Sequence, residues 1–254
     1  MEQVPASMLF GVRVHHVTMD RAVAVINRLI RSGGSHHVVT INGAMLALAA
    51  RDEAVRRLFN GASLAIPDGV GVVLTARILG RPGFERVPGI ELAGQLCALS
   101  ARERYRVYFL GAARGAADAA AEELRRRYPG LHIVGTHHGY FTKNDEPSLV
   151  RAIKDTAPHL LLVGLGAPRQ EEWIANHLES LGAGVCIGVG GTFDVLSGRL
   201  RRAPQWVQRA SLEWLYRFVQ EPRRWRATAA LPLLILFALR ERLSLEWKRL
   251  RNKG

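Results

Sequence analysis

A stiff turn holds an aspartate in a position suited to acid–base chemistry. Asp68 stands between Pro67 and Gly69, at the end of the apolar segment SLAIPDG. Proline restricts this turn, and a carboxylate at a strand end can face an open cleft. Asp68 can therefore accept a proton from a substrate hydroxyl, and general base catalysis of this kind is worth roughly 10²–10⁴ in rate. The alternative is an Asx turn in which the same side chain caps the following helix.

Four further side chains carry groups that bind polar or phosphate-bearing ligands. Thr40 and Asn42 end the apolar run VVTIN and present a hydroxyl and an amide. Arg86 precedes the segment VPG and can pair bidentately with a diphosphate in place of a metal ion. Gln170 lies in the first turn of a helix opened by Pro168, so its amide and the helix N-terminus can meet the same ligand. The alternatives are strand-end hydrogen bonds to the backbone for Thr40 and Asn42 and a solvated loop for Arg86.

Glycines and small polar residues recur at the ends of the predicted strands. Parallel sheets bind ligands beyond the carboxyl ends of their strands, where backbone N–H groups and helix N-termini are exposed. A tight turn explains each glycine taken alone, but several together favour a phosphate-bearing ligand. The predicted binding residues at these ends are Gly69, Gly111, Gly139, Gly164, Gly190, Gly191 and Thr192.

Two nucleotide fingerprints and one metal motif are absent from the sequence. No GxGxxG follows the first strand of a βαβ unit, since the glycines of 111–120 have the wrong spacing, and no GxxxxGK[ST] occurs. No two aspartates lie two positions apart, and the three His-His pairs are far apart without nearby carboxylates. The sequence therefore predicts no metal and no cofactor. The protein itself must offset the charge of any diphosphate that it binds.

The elements that must position these residues alternate between strands and helices. Continuous apolar strands separated by helical patterns indicate a mostly parallel, Rossmann-like α/β sheet with helices on both faces. The pattern opens with a strand over Leu9–Val17 and a helix that runs from an Asp20 N-cap to Arg31. One helix is predicted between the VVTIN strand and Phe59. The later predicted strand segments are 63–69, 106–112, 132–136, 160–166 and 185–191.

Composition sets the class of protein and its compartment. A chain of 254 residues with 48% hydrophobic residues can bury a large core and form one large domain with an appendage. Cys97 and Cys186 lie in apolar stretches without a CxxC partner, which indicates a reducing, cytosolic setting rather than disulfides or zinc. The amino terminus has neither the basic start nor the apolar run of a signal peptide.

Most of the positive charge lies in the last part of the chain. From Arg199 onward there are 14 Lys and Arg against four Glu, a net +10 of the total +13. We therefore expect a catalytic domain over residues 1–198 and a basic, aromatic, helical appendage over residues 199–254. Such an appendage binds a phosphate-rich partner, either a nucleic acid or an anionic membrane surface.

An apolar run in this appendage favours the membrane over the nucleic acid. Segment 206–225 interleaves aromatic residues with arginine, and the 13 residues of 227–239 are interrupted by Pro232. About 20 apolar residues are needed to span a bilayer, so the pattern predicts helices lying in the headgroup plane. The alternative is a helix that packs on its own domain with a solvated basic face.

Five segments occur in an order and spacing that resemble a known family. They are TINGAMLALA (40–49), IPDGVGVV (66–73), RVPGIEL (86–92), GLGAPRQEEWI (164–174) and GVGGTFDVLSGRLRRAPQWVQRASLEWLYRF (188–218). Together they resemble the WecG/TagA/CpsF family of bacterial glycosyltransferases, over about residues 10–226. The PDG, GAPRQE and RRAPxW blocks are highly specific in combination.

The resemblance implies an inverting, metal-independent transfer of a sugar from a UDP-sugar to an undecaprenyl-diphosphate-linked saccharide. It implies a peripheral enzyme of cell-surface polysaccharide synthesis at the cytoplasmic face of the membrane, and it leaves a homo-oligomer open. UDP-N-acetylmannosamine and UDP-glucose both stay open as donors. A Rossmann-type oxidoreductase and a nucleic-acid-binding module are the alternatives from other classes.

The resemblance also implies roles for individual residues. Asp68 is the base, and Thr40, Arg86 and Gln170 assist catalysis, while Asn42 binds substrate. Tyr140 stacks on uracil and Asp194 accepts a hydrogen bond from the base or ribose, although an aromatic residue at a strand end is more often part of a core. Arg217 and Arg224 of the appendage reach the lipid diphosphate or the leaving UDP. Beyond Trp225 the resemblance weakens, so it assigns no role to residues 227–254.

Overall fold

The computed structural model describes residues 4–210, 212–220 and 232–244. Six parallel strands form the central sheet, in the order β4-β3-β8-β7-β5-β6. These strands are β3 (His36–Ile41), β4 (Leu64–Pro67), β5 (Arg106–Gly111), β6 (His132–His137), β7 (Leu160–Gly164) and β8 (Val185–Gly188). A parallel sheet flanked by helices confirms the predicted α/β class.

Helices connect the strands and cover both faces of the sheet. The first group is α1 (Met19–Ser32), α2 (Gly43–Ala49), α3 (Glu53–Asn60), α4 (Val70–Ile78), α5 (Gly89–Glu103) and α6 (Ala116–Arg127). The second group is α7 (Glu146–Asp155), α8 (Arg169–His177), α9 (Thr192–Leu196), α10 (Gln205–Arg209), α11 (Glu213–Gln220) and α12 (232–244).

Alternate residues of each strand are buried on opposite faces of the sheet. Val38 and Phe109 belong to the core cluster beneath α1, α5 and α6. Val39 points to the cluster that contains α2, α3 and α4, and Leu110 points to the cluster that contains α7 and α8. Burial on both faces explains why the strands read as continuous apolar runs rather than alternating ones.

The predicted first strand, Leu9–Val17, is wrong, since a hairpin occupies this segment. Strands β1 (Ala6–Leu9) and β2 (Val12–His15) pair antiparallel outside the main sheet. Phe10 and Gly11 form the two-residue turn, and both have positive φ angles, of 50° and 75°. This is the conformation that matches the twist of a hairpin, and a glycine in the turn makes it accessible.

Two helix boundaries also differ from the prediction. Thr18, rather than Asp20, caps α1, because its hydroxyl accepts a hydrogen bond from the Arg21 N–H at 3.2 Å. The predicted helix up to Phe59 is two helices, and the Asp52 carboxylate caps the second one. In both places a side-chain oxygen satisfies N–H groups that a helix start leaves free.

The last described helix packs against the sheet domain. Leu234 and Ala238 of α12 are fully buried in the cluster that contains Val72 and Phe84. The Arg242 guanidinium donates a hydrogen bond to the Ile78 carbonyl at 3.0 Å. One face of α12 therefore belongs to the core, which agrees with the alternative of a helix packed on its own domain.

Three strand ends meet closely at the carboxyl edge of the sheet. A Cβ atom on Gly111 would lie 2.4 Å from the Gly164 carbonyl oxygen, and a Cβ on Gly164 would lie 2.7 Å from the Gly190 carbonyl oxygen. Real Cβ atoms do not approach backbone oxygens so closely. Packing between neighbouring loops therefore requires glycine at positions 111 and 164, whereas a Cβ on Gly190 would have no atom within 4 Å.

We predict that Gly111→Ala destabilises the protein by about 3 kcal/mol, because the added methyl meets backbone oxygen and φ at this position is +134°. Urea unfolding measures the loss. Gly34→Ala is the matched control, since φ is +78° there but no atom lies within 4 Å of the added Cβ. It should lose about 1 kcal/mol. Equal small losses in the two variants would show that the strand ends are not tightly packed.

Candidate functional site

A cavity of about 1070 Å³ opens at the carboxyl edge of the sheet. The ends of β3, β4 and β8 form its floor, and residues of the segment 200–203, of α11 and of α12 close one side. It collects predicted site residues from across the chain: Thr40, Asn42, Asp68, Gly69, Arg86, Gln170, Gly190, Gly191 and Thr192. The fold thus brings into one cavity residues up to 152 positions apart in the sequence.

Asp68 presents a half-buried carboxyl group to this cavity. Its side chain accepts a hydrogen bond from the Gly89 backbone N–H, and burial raises the pKa of the carboxyl to about 6. The Arg86 guanidinium lowers this pKa, whereas the carboxylates of Glu213 and Glu91 raise it. Helix α4 has no side-chain cap at its start, so the Asx-cap alternative is not what the structure contains. A carboxyl with a pKa near 6 is suited to accepting a proton near neutral pH.

Thr40 and Asn42 each use one polar atom in the fold. The Thr40 hydroxyl donates to the Gly188 carbonyl at 2.9 Å, the strand-end bond that was its alternative. The Asn42 side-chain oxygen caps α2 by accepting the Met45 N–H at 3.1 Å. This cap leaves the Asn42 amide NH₂ as the group that can contact a ligand.

Arg86 forms an ion pair with Glu213, the first residue of α11. Both side chains are about one-quarter exposed, at 26% and 24%. A second ion pair, Arg202–Glu91, also links the last part of the chain to the sheet domain. Arg86 is therefore held by a residue 127 positions away and does not extend from a solvated loop.

Gln170 ties together the loops after two neighbouring strands. Its side-chain oxygen accepts the N–H groups of Gly166 and Gly190, each at 3.1 Å, and its amide nitrogen donates to Glu171 at 2.7 Å. The residue is only 2% exposed. The backbone occupies the oxygen, so a ligand can contact only the amide NH₂, and the role of Gln170 in catalysis stays a prediction. The Gly190 N–H is likewise bonded within the protein.

Glu171 is a buried carboxyl group that the sequence did not single out. It has no exposed surface, and burial raises its pKa to about 7. Its Oε2 has no hydrogen-bond partner among the described residues. A Cβ at Gly188 would lie 2.4 Å from Gln170 Nε2 and 2.6 Å from Glu171 Oε1, so glycine at this position makes room for the pair. Glu171 is the last residue of the segment GAPRQE, and nothing in that segment distinguishes a buried carboxyl from an exposed one.

A smaller cavity of about 420 Å³ adjoins the first, and Leu200 lines both. Tyr140 lies here with 68% of its surface exposed, so it is not part of the core. The predicted residues in this cavity are Gly139, Tyr140, Gly164 and Asp194. Gly111 lines neither cavity and has the packing role described above.

Two arginines of the smaller cavity were missed by the sequence analysis. The Arg169 guanidinium lies 5.5 Å from the centre of the Phe141 ring, and Arg199 donates to the Arg114 carbonyl at 2.6 Å. Both side chains line the cavity and can neutralise an anionic ligand. Both lie in segments already quoted for the resemblance, but nothing in those segments distinguishes them from solvated arginines.

The appendage contributes aromatic side chains to the larger cavity. Trp214, Tyr216 and Phe218 of α11 line it, in a stretch that the sequence analysis had assigned to membrane association and, through Arg217, to the active site. Arg217 belongs to the same helix, but its side chain is not among those described, and Arg224 lies outside the described residues. Their predicted contacts with a diphosphate stay predictions.

The described part of the chain contains neither a metal-binding cluster nor a membrane-spanning helix. No group of three or more His, Cys, Asp and Glu residues is placed to hold a metal ion. No described helix combines the length and the apolar character that a bilayer crossing requires.

Comparison with known proteins gives one family over nearly the whole chain. The family described as "Glycosyl transferase WecG/TagA/CpsF family" matches residues 7–248. An N-acetylglucosaminyldiphosphoundecaprenol N-acetyl-beta-D-mannosaminyltransferase of Staphylococcus aureus is 32% identical over 229 residues, which is 89% of each chain. A protein of the same name from Bacillus spizizenii is 33% identical over 203 residues, 80% of this chain and 78% of its own.

The pKa of Glu171 makes the stability of the fold depend on pH. Because the folded-state pKa is raised from 4.5 to about 7, the native protein holds a proton that the unfolded chain releases, and stability falls as pH rises between these values. We predict that Glu171→Gln is up to about 3 kcal/mol more stable than wild type at pH 8 and close to it at pH 4.5.

Urea unfolding of both proteins at the two pH values measures this difference. Other titrating groups, Asp68 among them, are common to both proteins and cancel in the comparison. The same difference at pH 8 and at pH 4.5 would contradict a buried, protonated Glu171.

Proposed function

The chain belongs to the WecG/TagA/CpsF family and is a glycosyltransferase, and from this premise we propose that it transfers N-acetylmannosamine from a UDP donor to N-acetylglucosaminyl-diphospho-undecaprenol. Family membership removes the oxidoreductase alternative. The proposed acceptor and transferred sugar follow the names of its relatives. UDP-glucose stays as the alternative donor.

The observation that carries the proposal is the half-buried Asp68 carboxyl, with a pKa of about 6, beside Arg86 in the larger cavity. In the proposed reaction Asp68 takes the proton of the acceptor hydroxyl while that oxygen attacks the anomeric carbon. The bond from the anomeric carbon to the diphosphate oxygen breaks, and UDP leaves with its electron pair. Attack opposite the leaving group inverts the anomeric configuration.

We assign the smaller cavity to the nucleotide. Tyr140 offers an exposed ring on which uracil can stack, and Arg169 and Arg199 place two guanidinium groups beside it. These cations offset the diphosphate charge in the role that a divalent ion has in other transferases. The transfer is accordingly proposed to be metal-independent.

A donor panel tests the proposal. UDP-N-acetylmannosamine, UDP-N-acetylglucosamine and UDP-glucose are assayed with a short polyprenyl-diphosphate-linked N-acetylglucosamine, with and without EDTA. We expect transfer from UDP-N-acetylmannosamine at a rate that EDTA leaves unchanged. Transfer from UDP-glucose alone would replace the donor, and a strict metal requirement would contradict the role given to the arginines.

Asp68→Asn should lower turnover by at least about 10², because the amide keeps the shape of the side chain but cannot accept the proton. Binding of UDP, measured by calorimetry, should change little. Turnover within a few-fold of wild type would remove Asp68 from the role of base. In the wild type, kcat/KM should fall as pH drops below about 6, where Asp68 becomes protonated.

We further propose that the appendage, residues 199–254, holds the enzyme on the cytoplasmic face of an anionic membrane, as a peripheral protein. The outer face of α12 exposes Leu236, Leu239 and Leu243, at 61%, 47% and 67%. Arg240 and Arg242 are exposed on the same helix. Exposed leucines beside arginines suit the headgroup region, where each basic residue adds about 1 kcal/mol of attraction. No nucleic-acid partner is proposed.

Replacing both Leu236 and Leu239 with Gln should weaken binding to vesicles containing anionic lipid at least about tenfold, because two apolar side chains no longer enter the interface. Vesicle co-sedimentation measures the loss. Truncation is less informative, since Leu234 and Ala238 are part of the core. Met8→Gln is the control, because Met8 is 44% exposed on the β1 strand. Equal binding by the double variant and wild type would exclude α12 as the membrane contact.

A further inference from the structure

The Arg86–Glu213 ion pair joins the cavity floor to the appendage at the point where the proposed chemistry occurs. Arg86 precedes α5 on the sheet domain, and Glu213 opens α11, whose next residues carry the aromatic side chains of the cavity wall. Docking of α11 therefore places a carboxylate in the cavity. This carboxylate lies close to Asp68, the proposed base, and to Arg86, which is proposed to bind a diphosphate. Its position is unexpected if the appendage supplies only positive charge.

Arg86 keeps free hydrogen-bonding capacity despite this partner. Glu213 binds Nη2, while Nε is buried and has no acceptor among the described residues. A buried donor without a partner costs about 1–3 kcal/mol, so its retention points to an acceptor that arrives with a ligand. Guanidinium groups bind phosphate oxygens through such paired N–H groups.

We propose that Glu213 is a positioning residue, which holds the Arg86 guanidinium so that its remaining donors face a diphosphate oxygen of the bound substrate. This inference rests on the proposed function, which supplies the diphosphate. The diphosphate belongs to the UDP donor or to the lipid-linked acceptor, and the experiment below separates these sources. By this route α11 completes the site only when the appendage is docked.

The charges around Asp68 give this arrangement a second measurable effect. Arg86, Glu213 and Glu91 are the charged groups that act on Asp68; the guanidinium lowers its pKa and both carboxylates raise it. While Arg86 stays beside Asp68, neutralising Glu213 moves the acid limb of the kcat/KM profile to lower pH. Glu91 acts on Asp68 in the same direction, so the binding constants rather than this limb distinguish Glu213 from Glu91.

Glu213→Gln tests the proposal, with Glu91→Gln as its matched control. Glu91 pairs with Arg202, so the control also removes one carboxylate near Asp68 and breaks one ion pair to the appendage, but it leaves Arg86 held. Three quantities are measured for each protein: Kd for UDP, KM for the lipid-linked acceptor, and the pH profile of kcat/KM.

We expect Glu213→Gln to raise either Kd for UDP or KM for the acceptor at least about tenfold, and the affected quantity identifies which diphosphate Arg86 binds. Its acid limb should move to lower pH. Glu91→Gln should move the limb in the same direction and leave both constants within about twofold of wild type.

Four results would overturn the inference. Both constants could stay unchanged in Glu213→Gln, or either could fall, which would mean that Glu213 blocks Arg86. Equal losses in Glu91→Gln would mean that any ion pair to the appendage has the same effect. An acid limb that does not move in Glu213→Gln would separate Glu213 from Asp68. Failure of the proposed function is distinct, because wild type would then transfer no sugar in the donor panel while UDP binding stays measurable.

Discussion

The close approach of three strand ends is the constraint on which the site depends. Because residues 111 and 164 are glycines, the backbone at Gly111 approaches Gly164, and the backbone at Gly164 approaches the Gly190 carbonyl. Gln170 then bonds the loops after β7 and β8 through N–H groups that would otherwise be unpaired. The walls of both cavities are consequently fixed by packing and buried hydrogen bonds before any ligand binds. Preorganised walls of this kind are what electrostatic catalysis requires.

Burial and a few charged groups set the pKa of Asp68 in the larger cavity. The desolvated Asp68 carboxyl favours its neutral form, while Arg86 favours the charged form, and the pKa settles at about 6. The Glu213 carboxylate raises this pKa, and it lies at the cavity because it is the first residue of α11. The protonation of the proposed base is thus tied to the position of the appendage. Residues of the sheet domain and of the appendage therefore share one site, although most of the positive charge lies in the appendage.

Helices α11 and α12 of the appendage make different contacts. The aromatic helix α11 lines the cavity, whereas α12 buries Leu234 and Ala238 in the core and exposes leucines on its other face. A helix can do both because residues three and four apart share a face and the opposite face is independent. Helix α11 therefore contributes to the proposed catalytic cavity, and the exposed face of α12 carries the proposed membrane contact.

The sequence alone determined the α/β class, the parallel sheet implied by continuous apolar strands, and the meeting of Thr40, Asn42 and Asp68 at one edge of that sheet. These follow from periodicity and from the rule that parallel strands end at one edge. Only the tertiary structure decided that Gln170 binds backbone, that Glu171 is buried with a raised pKa, and that Glu213 pairs with Arg86. A side chain's partners and its desolvation depend on residues more than a hundred positions away, and no local pattern records them.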